Sequence, residues 1–174
     1  MLKKLIKFSG IAVIGSMLLA SSLQAKNVRW KLAMTWPSTL TPLASPPIKV
    51  AEMVKKMSKG KFIIKVEGKE KHKAPLGILD MVKGGQYQMG HSGSYYWKGK
   101  DINTVWFTTI PFGMTSAEQY AWFYYADENH DGKPDGMEYM KKVYNKFRVL
   151  SFPGGNTGVQ MGGWLENLLT QLLI

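Results

Sequence analysis

Short apolar segments typical of β-strands alternate along this chain with segments of helical spacing, and this alternation constrains the fold more than any other feature. The strand-like segments are rich in β-branched and aromatic residues, whereas the helical ones place apolar residues three or four positions apart. Strands that alternate with helices indicate an α/β sheet. The predicted strands are Arg29–Trp36, Lys61–Val66, Gln88–Trp97 (running into a Gly/Ser turn), Val105–Ile110 (a strand or a buried run) and Arg148–Phe152, and the predicted helices are Ile48–Met57, Leu76–Val82, Ser116–Tyr124 and Met137–Phe147.

Prolines separate the first predicted strand from the first predicted helix. Pro37 and the pairs Thr41-Pro42 and Pro46-Pro47 predict an extended loop, because proline removes a backbone donor and restricts the residue before it. The helix is therefore expected to begin at Ile48 and to end before Gly60.

The N-terminus has the three parts of an export signal. A basic segment, Met1–Lys7, precedes an apolar run, Ile11–Ala20, and the small residues near Ala25 resemble a cleavage site. Residues 1–25 are thus predicted to be a signal peptide that directs the chain to the periplasm. The alternative is an uncleaved N-terminal anchor, because Leu23 occupies a position where a small residue is usual.

The composition excludes several function classes. The chain has no cysteine, which excludes disulfides, thiolate metal sites and a cysteine nucleophile. The net charge of +11 falls to +8 without the three leader lysines, and this excess favours anionic ligands. Nucleic acid is disfavoured because the basic residues fall on different predicted elements. No Gly-x-Ser-x-Gly turn, phosphate loop or paired histidine spacing indicates an enzyme, and His91 is interpreted as a cleft-lining or core histidine.

Three predicted loops carry short polar side chains, glycines and tyrosines: Thr35–Ser38, Ser92–Tyr96 and Gly154–Thr157. In open α/β sheets ligands bind beyond the carboxyl ends of the strands, where such loops meet. Amides, hydroxyls and exposed backbone N–H groups suit a small carboxylate. The alternative is that the glycines only form turns and that the tyrosines are core or rim aromatics.

Several segments in the same order resemble the extracytoplasmic solute receptors of TRAP (tripartite ATP-independent periplasmic) transporters, the DctP-type family, and among them the alpha-keto-acid receptors. They are Gln88–Lys100, Thr109–Gly113, Ala121–Tyr125 and Phe152–Trp164. The resemblance implies a periplasmic-binding-protein-like fold in which two α/β domains joined by crossing strands close on an organic acid. It also implies delivery of that acid to the TRAP membrane subunits. Residues 26–152 would then form domain I, and 153–164 the first crossing strand and the start of domain II.

The resemblance also implies site residues. Gln160 matches the glutamine that contacts both the carboxylate and a bound cation, sodium or calcium. Asn156 and Tyr95 match neighbouring ligand contacts, and Tyr96 and Trp36 are placed near the cleft by their loops alone.

The family arginine that pairs with the carboxylate is expected downstream of Trp164. Residues 165–174 form an apolar tail instead, so we expect a truncated receptor fragment, by frameshift or otherwise, with a genuine amphipathic helix as the alternative. Other functions left open are a non-functional remnant, a small periplasmic calcium-binding protein and, more remotely, a periplasmic hydrolase.

A second candidate site lies in an acidic segment. Residues 127–138 fit a twelve-position calcium loop with glycine at the sharp turn, Gly132. The alternative is a solvated acidic turn between two helices. The predicted oxygen ligands are Asp127, Asn129, Asp131, the Lys133 carbonyl, Asp135 and Glu138.

Overall fold

The computed structural model describes residues 27–158, and three parallel strands form the sheet of this region. The spatial order is β2–β1–β3, so that β1 is central. Leu32 of β1 is in register with Val66 on one side and with Met89 on the other. Because all three strands run parallel, their carboxyl ends lie along one edge of the sheet. The strands are β1 (Val28–Met34), β2 (Phe62–Glu67) and β3 (Met89–His91).

Helices cover both faces of the sheet. Successive side chains of a strand point to opposite faces, and β1 uses both: Leu32 and Met34 pack in one apolar cluster and Ala33 in another. The first cluster lies under α1, and the second under α2 and α4. The helices are α1 (Thr41–Met57), α2 (Ile78–Lys83), α3 (Ser116–Tyr124) and α4 (Asp135–Asn145), with 3-10 segments at Lys69–Lys71, Ser94–Trp97 and Ile102–Phe107.

The predicted extended loop before Ile48 is wrong, because α1 begins at Thr41 and runs through Pro46 and Pro47. Pro42 stands in the first turn, where a helix needs no backbone donor. The two later prolines each remove one donor from the helix ladder. Both Ala44 and Pro47 are buried against the sheet, so packing outweighs the lost hydrogen bonds.

Two predicted strands are also wrong. The first half of the segment interpreted as a strand or buried run at 105–110 lies in the 3-10 helix that ends at Phe107. Asp101 caps the start of this helix, because its side chain accepts from the Asn103 backbone N–H at 2.9 Å. Residues 148–152 are not a strand either. Arg148 has a positive φ of 57° in the turn that closes α4, and the segment beyond it pairs with no strand among residues 27–158.

The predicted strand Gln88–Trp97 is confirmed only at its start, because β3 ends at His91 and Ser94–Trp97 form a 3-10 helix. The other predicted elements are confirmed within two residues at their ends, apart from the start of α1. The cap of α3 is Thr115, one residue before the predicted Ser116, and it forms a capping box with Glu118. Among residues 27–158 there is no helix with the length and apolarity needed to cross a membrane.

Candidate functional site

Two loops meet at the carboxyl edge of the sheet, one after β1 and one after β3. The Thr35 backbone N–H donates to the His91 carbonyl at 3.1 Å, which extends the pairing of the two strands by one bond. Beyond it, the hydroxyl oxygens of Thr35 and Ser92 lie 2.5 Å apart. Thr35 is buried and Ser92 half-buried. Hydroxyls both donate and accept, so this pair can turn either function towards a polar ligand.

The ring of His91 lies where these loops approach α1. Its Nε2 is 2.9 Å from the carbonyl oxygen of Leu43. Its ring packs edge to face on Trp36, with centroids 5.4 Å apart. Burial lowers the pKa of His91, while its hydrogen bond with the Leu43 carbonyl opposes that shift. The imidazole is therefore neutral at physiological pH.

A third segment reaches the same ring from the far end of the described chain. A Cβ built on Gly154 would lie 3.0 Å from both Cε1 and Nδ1 of His91, which is closer than nearly all real contacts. Gly155, at a φ of 133°, lies above Pro46, whose Cγ would be 3.6 Å from an added Cβ. Glycine is favoured at 154 because the backbone passes close to the histidine ring, and at 155 because of the positive φ. His91 thus contacts three parts of the chain: the loop after β1, helix α1 and the segment at Gly154.

Tyr95 and Tyr96 stand together on the loop after β3. Their rings are tilted against each other with centroids 4.3 Å apart. The Tyr95 ring also folds over Gly93, where an added Cβ would lie 2.8 Å from Cε1. Burial raises the pKa of Tyr95 to about 12, and the neighbouring Tyr96 hydroxyl adds to the shift. The Tyr95 hydroxyl consequently stays protonated and remains a donor, and 42% of the residue is exposed.

Asn156 is held by its side-chain oxygen. Its Oδ1 accepts from the Ser116 hydroxyl at 3.2 Å and from the Gly158 backbone N–H at 2.9 Å. Both bonds use the oxygen, so they leave the two donors of the Nδ2 group unused. Ser116 is the first residue of α3, so this helix fixes the position of Asn156.

The predicted ligand residues are therefore brought together in part. Trp36 and Gly154 both pack against the His91 ring. Tyr95 packs against Tyr96, and Asn156 is hydrogen-bonded to Ser116 of α3. Gln160, predicted as both a carboxylate and a cation ligand, lies outside the described residues, as do the predicted signal peptide and the 165–174 tail.

The acidic segment 127–138 has the backbone of a tight loop. Asp127 accepts from the Asp131 and Gly132 backbone N–H groups, both at 3.0 Å, and Gly132 has a φ of +77°. The Asp135 carboxylate accepts from the Glu128 N–H at 3.1 Å and the Asn129 side chain at 3.2 Å. The predicted glycine turn is thus where the spacing placed it.

An ammonium group lies among these carboxylates. Lys133 Nζ is 2.8 Å from Asp131 Oδ2 and 3.4 Å from Glu138 Oε1. Residues 27–158 contain no group of three or more His, Asp or Glu side chains arranged to hold a metal ion. Calcium binding by Asp127, Asn129, Asp131, Lys133, Asp135 and Glu138 therefore stays a prediction.

The interpretation of the sequence missed the contact that places His91, although it named the residue. The signal lies in Pro47, four positions after Leu43. A helical carbonyl accepts from the N–H four residues later, and proline has none, so the Leu43 carbonyl needs another donor. A proline inside a helix thus marks a carbonyl that a side chain from elsewhere can use.

Comparison with known proteins places these loops in a family. The model of the bacterial extracellular solute-binding proteins, family 7 (DctP), matches residues 32–169, which is most of the chain. The chain belongs to this family. The predicted resemblance to DctP-type receptors is confirmed, and so is the α/β class.

Among relatives in family 7, the chain is 36% identical over 148 residues to the monocarboxylate 2-oxoacid-binding periplasmic protein of Nostoc sp. strain PCC 7120. That alignment covers 84% of this chain and 38% of the relative. The name of this relative describes a binding protein of the periplasm, in agreement with the predicted receptor class.

Solved structures of the family superpose on the described fold. A TRAP periplasmic solute-binding protein from Pseudoalteromonas atlantica T6c, with bound sodium and pyruvate, is 56% identical with a TM-score of 0.74. Its counterpart from Colwellia psychrerythraea, with bound calcium and pyruvate, is 54% identical with the same TM-score. A protein from Bordetella bronchiseptica RB50, with copurified calcium and picolinate, is 25% identical with a TM-score of 0.73.

The chain spans about two fifths of the length of these family 7 proteins. The alignments with the first two structures include 82% of this chain and 41% of the other chain. The alignment with the third includes 83% of this chain and 40% of the other. The similarity therefore concerns one portion of the larger proteins, and this portion contains the parallel sheet and its carboxyl edge.

Proposed function

We propose that this chain supplies one wall of a periplasmic receptor cleft that captures a monocarboxylate 2-oxo acid, such as pyruvate, together with a sodium or calcium ion. The observation that carries the proposal is the convergence of the loop after β1, helix α1 and the segment after α4 on the His91 ring at the carboxyl edge of the sheet. This is the edge at which open α/β folds bind ligands.

The chemistry of the edge suits a 2-oxo acid. Such a ligand has a carboxylate and a keto oxygen, which accept hydrogen bonds and donate none. The loops at this edge offer donors in return: the paired hydroxyls of Thr35 and Ser92, the protonated hydroxyl of Tyr95 and the amide hydrogens of Asn156. The adjacent aromatic residues, Trp36 and Tyr96, would flank the small apolar part of the ligand.

Gln160 is proposed as the residue that contacts both the carboxylate and the cation. The support comes from its position in the motif that resembles the family and from the ions held by the pyruvate-bound relatives. A cation beside the carboxylate would offset its charge and favour binding. Residues 26–152 are proposed as domain I and 153–164 as the beginning of a second, with residues 1–25 as the export signal.

The receptor would release its acid to TRAP membrane subunits. This step follows from membership of the family and from the TRAP designation of the most similar structures. We assign the chain no catalytic role, because the relatives are named for solute binding.

Calorimetric titration with pyruvate tests the proposal. A chain that corresponds to two fifths of the pyruvate-bound proteins offers only part of their contacts, so we expect binding no tighter than about millimolar, roughly −4 kcal/mol. Replacing Tyr95 by phenylalanine removes a donor and should weaken binding about fivefold, or about 1 kcal/mol.

The matched control is Tyr125→Phe, at a tyrosine that is 83% exposed and away from these contacts. It should leave the affinity unchanged. Absence of any saturable heat with pyruvate, in sodium and in calcium, would refute the proposal for this chain.

A further inference from the structure

The two prolines inside α1 change what its first carbonyl groups can do. In a regular helix the Leu43 carbonyl would accept from the N–H of residue 47, which here is proline. A half-buried carbonyl without a donor is destabilising, because it gives up its bond to water without gaining another. His91 supplies the missing donor through Nε2 at 2.9 Å.

This contact fixes the tautomer of the ring. A carbonyl oxygen only accepts, so Nε2 must carry the hydrogen. Since burial keeps the ring neutral, Nδ1 then carries a lone pair and no hydrogen. Nδ1 is one of the two ring atoms, with Cε1, that lie nearest the backbone at Gly154.

The same ring is confined on its remaining sides. Trp36 contacts it edge to face at 5.4 Å, and the Gly154 backbone passes so close that a Cβ there would sit 3.0 Å from two ring atoms. The segment that begins at Gly154 leads within two residues to Asn156. A shift of the ring therefore displaces the chain that carries this proposed ligand contact.

We propose that His91 is a positioning residue of the cleft. Its ring donates to the Leu43 carbonyl, which has no helical donor because residue 47 is proline, and it packs against the segment that carries Asn156 and so fixes the position of that segment. The inference rests on the proposed function for its effect on affinity, but its structural part stands independently. Ligand contact by His91 itself is not required. Both the hydrogen bond to the Leu43 carbonyl and the volume of the ring are needed to hold residues 154–156 in place.

The test uses the 174-residue chain labelled with ¹⁵N. Side-chain nitrogen spectra should show His91 as the neutral tautomer protonated at Nε2. Backbone order parameters for residues 154–156 should be near the rigid value of about 0.85 in the parent and fall below about 0.6 in His91→Phe, which keeps a ring but has no donor. His91→Gln restores a donor to Leu43 and should recover part of the order.

The control variant is His130→Phe, at an exposed histidine whose Nδ1 lies 2.8 Å from the Glu128 carbonyl oxygen, two residues earlier in the chain. It should leave residues 154–156 rigid. Unchanged order in His91→Phe, or a His91 ring protonated at Nδ1, would overturn the inference.

Pyruvate titration of the same variants separates this inference from the proposed function. We expect about tenfold weaker binding for His91→Phe, because the half-buried Leu43 carbonyl loses its donor, and a smaller loss for His91→Gln. If the parent chain does not bind pyruvate, the proposed function fails while the order parameters still decide the role of His91. If the parent binds and His91→Phe binds equally well, the positioning role is refuted.

Discussion

The loops around His91 and the acidic loop 127–138 are both polar, but they are held in different ways. The hydrogen bonds at the sheet edge join residues far apart in sequence: 57 positions between Thr35 and Ser92 and 48 between His91 and Leu43. The hydrogen bonds of the acidic loop join residues two to seven positions apart.

The difference indicates which region depends on the whole fold. The acidic loop can form from its own residues, whereas the sheet edge exists only when β1, β3 and α1 are assembled. Damage to the sheet should therefore remove the first region and spare the second. Four substitutions test this contrast, from the largest expected effect to the smallest.

The largest effect is expected at Met34, the last residue of β1, which is fully buried and in register with His91. Met34→Ala leaves a cavity under the site and should reduce the free energy of unfolding by about 2–5 kcal/mol. Met57→Ala, at a methionine that is 73% exposed, should change it by less than about 0.5 kcal/mol. Urea unfolding measures both. Equal losses would show that burial at the sheet edge does not control stability.

A smaller effect is expected at Gly90, in the middle of β3. A Cβ there would lie 2.4 Å from the Ile78 Cγ2 methyl and 3.1 Å from that of Val82, so Gly90→Ala forces β3 away from α2. The expected loss is about 1–3 kcal/mol. Gly99→Ala meets no atom within 4 Å and is the control. Thermal melting distinguishes them, and a stable Gly90→Ala would mean that the β3–α2 contact is loose.

Calcium tests the acidic loop alone. If residues 127–138 bind calcium, a tenfold excess over Kd should stabilise the chain by about 1.4 kcal/mol without any organic acid, which a higher melting temperature reports. The ion must displace the Lys133 ammonium from Asp131 and Glu138. Glu138→Gln should abolish most of the shift, and His91→Phe should leave it intact. Equal melting temperatures in calcium and in chelator would leave only the solvated acidic turn.

The smallest effect concerns Asp101, which combines local and distant partners. Lys146, with its Nζ 2.5 Å away, lowers the pKa of Asp101 to about 2, and hydrogen bonds from Asn103 contribute. A lowered folded pKa adds stability that is present above about pH 4 and lost as the pH falls towards 2. Asp101→Asn should therefore show a slightly smaller drop in urea midpoint between pH 5 and pH 2.5. An identical drop would show that the ion pair is screened by solvent.

The sequence predicted those parts of the fold that depend on local pattern. The strands β1 and β2, the helices α2 to α4 and the glycine turn at Gly132 follow from side-chain periodicity and turn chemistry. Periodicity failed at 105–110, where apolar residues of a 3-10 helix resemble a short buried strand. It failed again at residues 148–152, because a strand needs a partner and apolar spacing alone does not supply one.

The candidate site was predicted less completely. The three loops were identified from their glycines and polar residues, but the contacts of two of them with His91 were not, because these contacts depend on the assembled fold. The prolines of α1 were interpreted as a loop, since the packing that tolerates Pro46 and Pro47 is not visible in the local sequence. The role of Gln160 stays a prediction that rests on family resemblance.

The position of β1 at the centre of the sheet has a consequence for folding. Its two partners follow it along the chain, and the ladder to β3 closes a loop of 57 residues between Leu32 and Met89. Non-local parallel pairing of this kind is slow, because the entropy of closing the loop is lost before the contacts form. Until β3 arrives, one side of an apolar strand has no backbone partner and can pair with another chain. Because β1 is synthesised before β3, self-association competes with correct folding most strongly in the early period of folding.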